Sequence, residues 1–242
     1  MTVSMNNAAE FETKKDDVFA RIASRYDVLC DLFSLGIHRL WKRRVSEVVT
    51  SEPSTKILDV ASGTGDIVLR ILSKSLSPNV ELIASDISPS MLNIAQNKLL
   101  KYEPQLKFQI LDAHSMPEVK SDSVDAVSMS LVLKICDRDS AMREAFRVLK
   151  PGGRLITLEA SNIPVKWLHK AYLFYMSLCM PLLGWLATKG DSSAYRYLLN
   201  GVNDFPSAES LKSEMHDLGF TQVSFERLTF GIVAIHTAKK PN

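Results

Sequence analysis

The 242-residue sequence has few of the features that would indicate a disulfide-stabilised, metal-binding or nucleic-acid-binding protein. Its three cysteines, Cys30, Cys136 and Cys179, lie far apart and show neither metal-ligand nor redox spacing. They are therefore expected to be reduced thiols in a cytoplasmic protein. The formal net charge of +2 gives no electrostatic reason to expect binding to DNA or RNA.

The sequence also lacks a long hydrophobic run. Residues 1–12 are polar, so we expect no secretory signal there. One apolar stretch, Ala171–Ala187, has 17 residues without a charge, whereas a membrane-spanning helix needs about 20. It contains Pro181 and is flanked by Lys170 and Lys189. This pattern favours a buried helix, or one that contacts a membrane or a lipid substrate, over a transmembrane span.

A dinucleotide-binding motif is absent as well. The segment ILDVASGTGDI at residues 57–67 reads as a short strand followed by a tight loop with Gly63 and Gly65. A dinucleotide fingerprint would place a third glycine where this sequence has Val68. The strand also carries Asp59, whose negative charge would repel a pyrophosphate. The loop is therefore expected to bind a cofactor without phosphates.

Short apolar runs alternate with amphipathic helical segments through the middle of the chain. Strands that are apolar at most positions and alternate with helices predict a parallel, doubly wound α/β sheet. Two further runs, Thr221–Leu228 and Gly231–Ala238, predict an antiparallel hairpin at the edge of that sheet. The five runs of the parallel part are residues 56–61, 80–86, 106–112, 124–130 and 153–159.

Helices are predicted around these strands. Val18, Ile22 and Tyr26 are spaced by four and indicate a helix near the N-terminus, and residues 36–49 indicate a second one. Ser88 is expected to cap a helix that starts at the following proline.

Acidic residues end four of the predicted strands, at Asp59, Asp86, Asp112 and Glu159. In open α/β sheets, ligands bind at the carboxyl ends of the strands. Asp86 lies 21 residues beyond Gly65, the offset at which an acid accepts hydrogen bonds from the ribose hydroxyls of an adenosine. Asp112 can accept a hydrogen bond from an adenine amino group, and Asp59 can attract an ammonium. S-adenosylmethionine carries these groups without a phosphate, so the pattern favours a methyltransferase.

Two motifs resemble one methyltransferase family. Tyr26–Trp41, YDVLCDLFSLGIHRLW, is similar to a Tyr-Asp…Ser…His-x-x-Trp signature, and Arg147–Ser161, RVLKPGGRLITLEAS, to a Pro-Gly-Gly strand motif. Asp191–Leu198 and Gly231–Ala238 extend the likeness, which covers residues 17–238. On these residues the chain resembles the ubiquinone/menaquinone biosynthesis C-methyltransferases, most closely the demethylmenaquinone methyltransferases. The resemblance implies a class I S-adenosylmethionine-dependent methyltransferase fold, a Rossmann-like sheet of seven strands with an antiparallel last strand, plus N-terminal helices.

The resemblance also implies what binds and where. S-adenosylmethionine would bind without a metal and leave as S-adenosylhomocysteine. The acceptor would be a prenylated naphthoquinol, and the reaction the C-methylation of demethylmenaquinol to menaquinol, the last step of menaquinone biosynthesis. Together with the residue pattern, it assigns the cofactor contacts to Asp59, Gly63, Thr64, Gly65, Asp86, Ile87, Asp112, Ala113 and Ser130.

The proposed chemistry requires help with a proton. A ring carbon becomes a good nucleophile only when a neighbouring hydroxyl, with a pKa of ~10, loses its proton to a base, through a water relay or beside a cation. Tyr26, Asp27 and His38 lie in the N-terminal helical region and are the substrate-side candidates, with His38 as a candidate base. A helix-orienting role for His38 and a core role for Tyr26 remain open.

The sequence departs from the family after the fourth strand. Leu131–Cys136 reads LVLKIC, where most members read Phe-Gly-Leu/Ile-Arg-Asn. Lys134, the fourth catalytic candidate, takes the place of the arginine and keeps its charge without the fork geometry. Ile135 replaces the asparagine, and Leu29 and Cys30 replace a Met and an Asn in the first motif. These changes concern the positioning of the quinol and leave the cofactor loop intact.

One methyltransferase domain is expected at residues 17–242, after a flexible tail at residues 1–16. Its expected parts are an N-terminal helical cap (17–52), the cofactor-binding core (53–160), an apolar helical insert (161–205), and a C-terminal helix with a β-hairpin (206–242).

The apolar segment and the basic residues bear on where the protein acts. A polyprenyl tail lies in the bilayer, so Ala171–Ala187, with Trp167 and Trp185, is expected to line an apolar channel or to rest on the membrane surface. The basic face of residues 38–44 is open to two interpretations, attraction to anionic lipid or ordinary solvation. We expect a cytoplasmic enzyme with peripheral contact at the inner face of the cell membrane and no nucleic-acid partner. A homodimer is left open.

Two other functions stay open because of the LVLKIC segment. One is methylation of a different small aromatic or lipid acceptor, ubiquinone precursors included. The other is a non-catalytic protein that binds the cofactor or a quinone and organises a biosynthetic complex. Methylation of nucleic acids is disfavoured because neither an Asn/Asp-Pro-Pro-Tyr/Phe run nor a Pro-Cys nucleophile is present. An NAD-dependent dehydrogenase is disfavoured by Asp59 and the missing third glycine.

Overall fold

The computed structural model describes residue 23 and residues 26–74, 79–102, 105–188 and 205–242. Short 3₁₀ turns lie at Leu100–Tyr102 and Thr229–Gly231. The α-helices of the described ranges are α1 (Tyr26–Ser34), α2 (His38–Val49), α3 (Asp66–Leu72), α4 (Pro89–Leu99), α5 (Arg138–Val148), α6 (Lys166–Thr188) and α7 (Ala208–Asp217). The strands are β1 (Lys56–Val60), β2 (Glu81–Asp86), β3 (Leu106–Ile110), β4 (Val124–Ser130), β5 (Leu149–Ala160), β6 (Thr221–Leu228) and β7 (Val233–Lys239).

All seven strands form one sheet in the order β3-β2-β1-β4-β5-β7-β6. Strands β1 to β5 are parallel neighbours, and β7 runs antiparallel to both β5 and β6. The predicted doubly wound sheet with an antiparallel last strand is therefore confirmed. The predicted hairpin forms, but β7 is inserted between β5 and β6, so only β6 lies at the sheet edge.

The core has two layers because successive strand residues point to opposite faces of the sheet. Ile57 packs on the face covered by α2 and α3, whereas its neighbour Leu58 packs on the face covered by α5 and α7. Both side chains are fully buried. This explains why the central strands are apolar at nearly every position.

Two details of the predicted elements differ from the structure. Strand β5 begins at Leu149, earlier than the predicted residue 153, so the Pro-Gly-Gly segment lies within the strand. Ser88 occupies the N-cap position of α4 but makes no side-chain cap; its N–H donates instead to Asp86 Oδ1 at 2.9 Å. The predicted helical positions Val18 and Ile22 lie outside the described residues, as do the tail at residues 1–16 and the motif at residues 191–198.

The long apolar segment lies in α6, which extends beyond the predicted residues 171–187 at both ends. Among the α6 side chains that the structure describes, only Met176 is buried. Of the two alternatives expected for this segment, a buried helix does not fit the described side chains, since Trp167, Phe174 and Leu178 are largely exposed. Contact with a membrane or a lipid substrate stays a prediction. None of the described helices is long and apolar enough to cross a membrane. The side chain of Trp185 lies outside the described part of the chain.

Candidate functional site

The sheet has a switch point between β1 and β4, where the strand order reverses. The register of these two strands places Asp59 beside Ser128. A switch point leaves a crevice at the carboxyl ends of the strands, and α/β proteins bind ligands there. The loop that follows β1 borders this crevice and contains the two glycines of the sequence motif.

The two glycines have different structural reasons for lacking a side chain. Both adopt left-handed backbone conformations, with φ of +55° at Gly63 and +80° at Gly65. A Cβ at Gly65 would lie 2.9 Å from Leu99 Cδ1, so this glycine lets the loop pack closely on α4. A Cβ at Gly63 would meet nothing within 4 Å. The space in front of Gly63 is therefore open to a ligand.

Asp59 is a buried carboxylate with one oxygen left without a partner. Oδ1 accepts a hydrogen bond from Ser128 Oγ, whereas Oδ2 accepts none from the residues that the structure describes. Burial raises the pKa of Asp59 to about 6. Ser130 Oγ is likewise buried and unbonded. An unsatisfied buried carboxylate is costly, so this end of the crevice suits a cationic or hydrogen-bond-donating ligand group.

Asp86 and Asp112 follow the same edge of the sheet and are held by nearby backbone. Asp86 Oδ2 accepts from the N–H of Gly63 at 2.8 Å, which fixes the glycine loop against the end of β2. Asp112 Oδ1 accepts from the N–H of His114 at 2.9 Å and lies 2.7 Å from His114 Nδ1. Backbone N–H groups thus orient both carboxylates, as side chains that hold a ligand need to be oriented.

A cavity of about 370 Å³ lies beside Asp59, a volume typical of small-molecule sites. Its polar wall comes from β1, β4 and the glycine loop, and its apolar wall from α1, α2, α6 and the β6–β7 turn. Trp41 Nε1 donates to Thr229 Oγ1 at 2.7 Å and joins α2 to that turn. The apolar wall consists of Phe33, Leu35, Ile37, Trp41, Tyr172, Tyr175, Met176 and Ile232.

His38 lines this cavity, and its hydrogen bonds indicate which nitrogen carries the proton. Ser34 Oγ donates its single proton to the carbonyl of Cys30 at 2.6 Å. Ser34 Oγ also lies 2.8 Å from His38 Nδ1, so Nδ1 must be the donor of that bond. Burial, followed by the charge of Lys42, lowers the pKa of His38. The ring is therefore neutral at pH 7, with the lone pair on Nε2.

Tyr26 and Cys30 form a second polar pair on the cavity wall. The electrostatic interaction with Cys30 is the largest cause that raises the pKa of the Tyr26 hydroxyl well above its usual value, and burial is the second. Burial raises the pKa of the Cys30 thiol as well. Both groups therefore keep their protons at neutral pH. Because they are hydrogen-bonded to each other, one proton lies between them and the other can be donated into the cavity.

Asp27 does not line the cavity, although it adjoins Tyr26. Its Oδ1 accepts from Thr64 Oγ1 at 2.6 Å and its Oδ2 from Lys98 Nζ at 2.7 Å. Lys98 also contacts Asp66 at 3.2 Å, and Asp66 accepts from Lys42 Nζ at 2.9 Å. Burial opposes ionisation of Asp66, but the two lysines lower its pKa to about 2. This network joins α1 and α2 to the glycine loop and α4.

Residues 38–44 do not form a basic surface that faces solvent throughout, because Lys42 does not face solvent. Its side chain is buried and paired with Asp66. Arg39 and Arg44 are exposed but pair with Asp31 and Glu226.

Lys134 is buried outside the cavity lining. Its Nζ donates to the carbonyl of Leu131 and lies 3.7 Å from Glu159 Oε2. Glu159 Oε1 in turn accepts from the N–H of Leu133 at 2.6 Å. Burial lowers the pKa of Lys134 and raises that of Glu159, and in each case the partner's charge opposes the shift. The pair holds the turn after β4, in which Leu131 lines the cavity with φ of +60°.

The structure brings together only part of the predicted site around the cavity. The catalytic candidates His38 and Tyr26 line it, whereas Asp27 and Lys134 do not. The predicted cofactor residues outside this lining lie at the glycine loop and after β2 and β3, with Ile87 half exposed at 49% and Ala113 buried. The cofactor candidates in the lining are Asp59, Gly63, Thr64 and Ser130.

Sequence reasoning missed several residues that the structure places at this site. Ser34 sets the tautomer of His38, and it stands in the quoted motif without having been assigned a role. Lys98, Thr229 and Ile232 carry no local signal, because each reaches the site from a distant part of the chain. Within the described residues, no group of three His, Cys, Asp or Glu side chains is arranged to hold a metal ion.

Comparisons with known proteins agree with this architecture. The model of the ubiE/COQ5 methyltransferase family matches residues 7–240. The chain is 39% identical over 231 residues to the ubiquinone/menaquinone biosynthesis C-methyltransferase UbiE of Pseudomonas aeruginosa, covering 94% of this chain and 89% of the relative.

Two solved structures share the fold at lower identity. The CurJ carbon methyltransferase aligns with a TM-score of 0.63 at 21% identity, covering 83% of this chain and 54% of that one. The phosphoethanolamine N-methyltransferase 2 of Haemonchus contortus, solved with S-adenosyl-L-methionine, aligns with a TM-score of 0.60 at 15% identity. That alignment covers 84% of this chain and 52% of the nematode protein. At these identities the likeness concerns the class I methyltransferase fold alone.

Proposed function

The chain belongs to the ubiE/COQ5 methyltransferase family, and we propose that it methylates a ring carbon of demethylmenaquinol with S-adenosylmethionine, giving menaquinol. The relative's name covers both ubiquinone and menaquinone biosynthesis. The observation that carries the proposal is a single cavity with two unlike walls. One wall holds Asp59 and the glycine loop, and the other holds aromatic and aliphatic side chains with His38 among them.

The polar end of the site fits S-adenosylmethionine. The unbonded Asp59 Oδ2 would receive the ammonium, and the open space at Gly63 would admit the cofactor close to the backbone. Asp86 and Asp112 would hold the ribose and the adenine, as their order along the sheet requires. When bound, this cofactor supplies a methyl group that is already activated on a sulfonium.

The protein's own chemical task is then to make the acceptor carbon nucleophilic. His38 Nε2 has the lone pair that can take the proton of a quinol hydroxyl, and the resulting phenolate raises the electron density of the neighbouring ring carbon. That carbon would form a bond to the methyl carbon as the bond from methyl to sulfur breaks, so the sulfonium would leave as a neutral thioether. Loss of the ring carbon's own hydrogen as a proton would restore the aromatic ring. The Tyr26 hydroxyl, which keeps its proton, can donate to the phenolate oxygen.

The apolar wall orients the ring and excludes water. Trp41 is fixed by its bond to Thr229, and Phe33 and Tyr172 add two more aromatic rings. Aromatic walls of this kind suit a flat, apolar acceptor such as a naphthoquinol. Alignment of the ring carbon with the sulfonium methyl accounts for much of the expected rate enhancement.

Lys134 bears on the choice of acceptor. It contacts Leu131 and Glu159 and does not line the cavity, so its replacement of the family's arginine does not by itself alter the surface that the acceptor meets. This supports a quinol acceptor over an unrelated one. We place the enzyme in the cytoplasm, in peripheral contact with the membrane that holds its substrate.

The test is transfer of a labelled methyl group from S-adenosylmethionine to chemically reduced demethylmenaquinone in detergent, beside a benzoquinol precursor of ubiquinone. Product from the naphthoquinol alone is the expected result. Product from the benzoquinol alone would reassign the acceptor. Cofactor binding by calorimetry without product from either acceptor would favour a different acceptor or a non-catalytic role.

A further inference from the structure

The described chain exposes large apolar side chains in several places. The four most exposed are Phe230 at 81%, Leu35 at 75%, Trp167 at 72% and Phe174 at 71%. Single exposed apolar residues are common, but contiguous groups mark a binding surface. These four belong to α6 and to the two turns beside the cavity.

The α6 residues form one stripe along the helix. Trp167, Phe174, Leu178 and Leu182 follow the three-and-four spacing that places side chains on the same helical face, and all four are exposed. The opposite face carries Tyr172 and the buried Met176, which line the cavity. Helix α6 therefore separates the cavity from an apolar outer surface.

The turns beside the cavity extend this surface to its mouth. Leu35 and Tyr175 both line the cavity and are exposed, so the cavity opens between them. Phe230 follows Thr229, another lining residue. Leu35, Thr229 and Phe230 adopt φ of +50°, +51° and +59°. Bulky residues are unfavourable in that conformation, and strain of this kind clusters at ligand-binding positions.

The charged residues of α6 itself are all basic. The sequence between Glu159 and Asp191 contains no acidic residue. Lys166 and Lys170 are exposed on α6, and neither pairs with a carboxylate among the described residues. An apolar stripe with an aromatic residue at its end and exposed lysines beside it is typical of helices that lie in the interface of an anionic bilayer.

We propose that the α6 stripe and the cavity mouth form a docking surface that inserts into the headgroup region of an anionic lipid bilayer. The stripe would lie among the headgroups, with Lys166 and Lys170 against lipid phosphates. The cavity would then open onto the bilayer between Leu35 and Tyr175. That the bound protein takes its acceptor directly from the membrane rests on the proposed function, whereas the docking itself does not.

The experiment is co-sedimentation of the full chain with vesicles of phosphatidylcholine alone and of phosphatidylcholine with phosphatidylglycerol. The variant is Phe174→Asp/Leu178→Asp, which places two charges in the stripe outside the cavity lining. The matched control is Leu100→Asp/Ile110→Asp, two exposed apolar residues at 58% and 60% on a different part of the fold. Both variants change the net charge equally, so a difference between them reports the position of the charges.

We expect wild-type protein and the control to bind the anionic vesicles, and the stripe variant to bind at least about tenfold more weakly, because each carboxylate must leave water. Circular dichroism checks that each variant is folded. The stripe variant should keep wild-type activity on a short-chain, water-soluble quinol, so loss of docking is separable from failure of the proposed reaction. Absence of wild-type binding, or equal binding by all three proteins, would overturn the proposal. So would a dimer in buffer that the stripe substitutions dissociate, since a second copy would then cover the surface.

Discussion

Thr64 Oγ1 donates a hydrogen bond of 2.6 Å to Asp27 Oδ1, and this contact joins the glycine loop to the helix that starts the apolar cavity wall. The same carboxylate accepts from Lys98 on α4. The polar wall, expected to bind the cofactor, and the apolar wall, expected to bind the acceptor, are therefore mechanically connected. A substitution of Asp27 should therefore alter both walls of the cavity, although this residue does not line it.

Asp27→Ala should loosen α1 and raise the KM for the quinol more than it lowers kcat. The substitution removes two charge-assisted hydrogen bonds, but the side chain is 43% exposed, so the local loss of stability should be about 1 kcal/mol. Hydrogen exchange of residues 26–34 and steady-state kinetics measure the two effects. The control is Asp139→Ala, which removes an exposed ion pair with Arg143. Equal exchange in both variants would contradict this role of Asp27.

His38→Gln should lower kcat by about 10²–10⁴-fold and leave cofactor binding unchanged. Glutamine can still donate to Ser34 but cannot take a proton. Because burial lowers the pKa of His38, wild-type activity should persist below pH 6.5 and fall only at more acidic pH. The matched control is His216→Gln, at an exposed position on α7. A variant that keeps the wild-type acidic limb of its pH–rate profile would assign that limb to another base.

Cofactor binding should weaken as the pH falls through about 6, because protonation of Asp59 removes the charge that attracts an ammonium. A bound cation would itself favour the carboxylate, so the occupied site should titrate lower than the empty one. Asp59→Asn should bind S-adenosylhomocysteine more weakly at pH 7.5 and lose this pH dependence. Calorimetry at several pH values measures both changes.

In the absence of cofactor, the stability of the protein should depend on pH in the opposite sense. The folded-state pKa of Asp59 is raised above its ordinary value of 3.8. The stabilising contribution of protonation is therefore present in acid and is lost as the pH rises through about 6. Urea unfolding of wild-type protein and Asp59→Asn at pH 5 and pH 7.5 tests this sign. A larger gain from the asparagine at pH 5 than at pH 7.5 would contradict it.

Lys134→Met should destabilise the protein by about 3 kcal/mol, because it leaves the buried Glu159 without its partner. The double variant Lys134→Met/Glu159→Gln should recover most of that loss, since the glutamine oxygen can still accept from Leu133. If Lys134 acts only by holding the turn after β4, activity should recover together with stability. Recovered stability without activity would instead assign Lys134 a direct part in the reaction. Urea unfolding and single-turnover rates measure the two quantities.

Alanine at the two loop glycines should separate packing from binding. Gly65→Ala forces a Cβ to within 2.9 Å of Leu99 and should cost about 2 kcal/mol of stability. Gly63→Ala meets open space, so it should cost about 1 kcal/mol for its backbone conformation alone and chiefly weaken cofactor binding. Thermal unfolding with and without S-adenosylhomocysteine distinguishes the two variants. A larger loss of stability at Gly63 would contradict this assignment.

Local patterns predicted the sheet well because a run of a few residues is enough to identify each strand. Residues 56–60 and 124–130 are mostly apolar and are buried at nearly every position, as a parallel strand covered on both faces requires. The position of β7 between β5 and β6 could not be predicted in the same way, since a hairpin reads alike in either order. For helix α6 the sequence left two alternatives, burial or contact with a membrane or lipid, because no local pattern shows whether a neighbouring element covers an apolar helix.

The site was predictable where one loop carries the chemistry and unpredictable where distant elements meet. Asp59, Gly63 and Gly65 lie within one motif, so their proximity follows from the chain itself. The hydrogen bond between Trp41 and Thr229 joins residues that are 188 positions apart. Residue spacing along the sequence cannot predict such a contact. Lys134 shows the same limit, because the sequence places it where the family has an arginine but does not show that Glu159 lies beside it.

The insertion of β7 between β5 and β6 has a consequence for biosynthesis. A ribosome releases β5 and then β6 before β7, so the central sheet presents β5 as an open edge until synthesis has passed Lys239. The turn that contributes Thr229 and Ile232 to the cavity is completed at the same late stage. During translation the nascent chain thus carries an unpaired strand edge, which is prone to aggregation. The chain should therefore need chaperones in vivo chiefly during this stage of its synthesis.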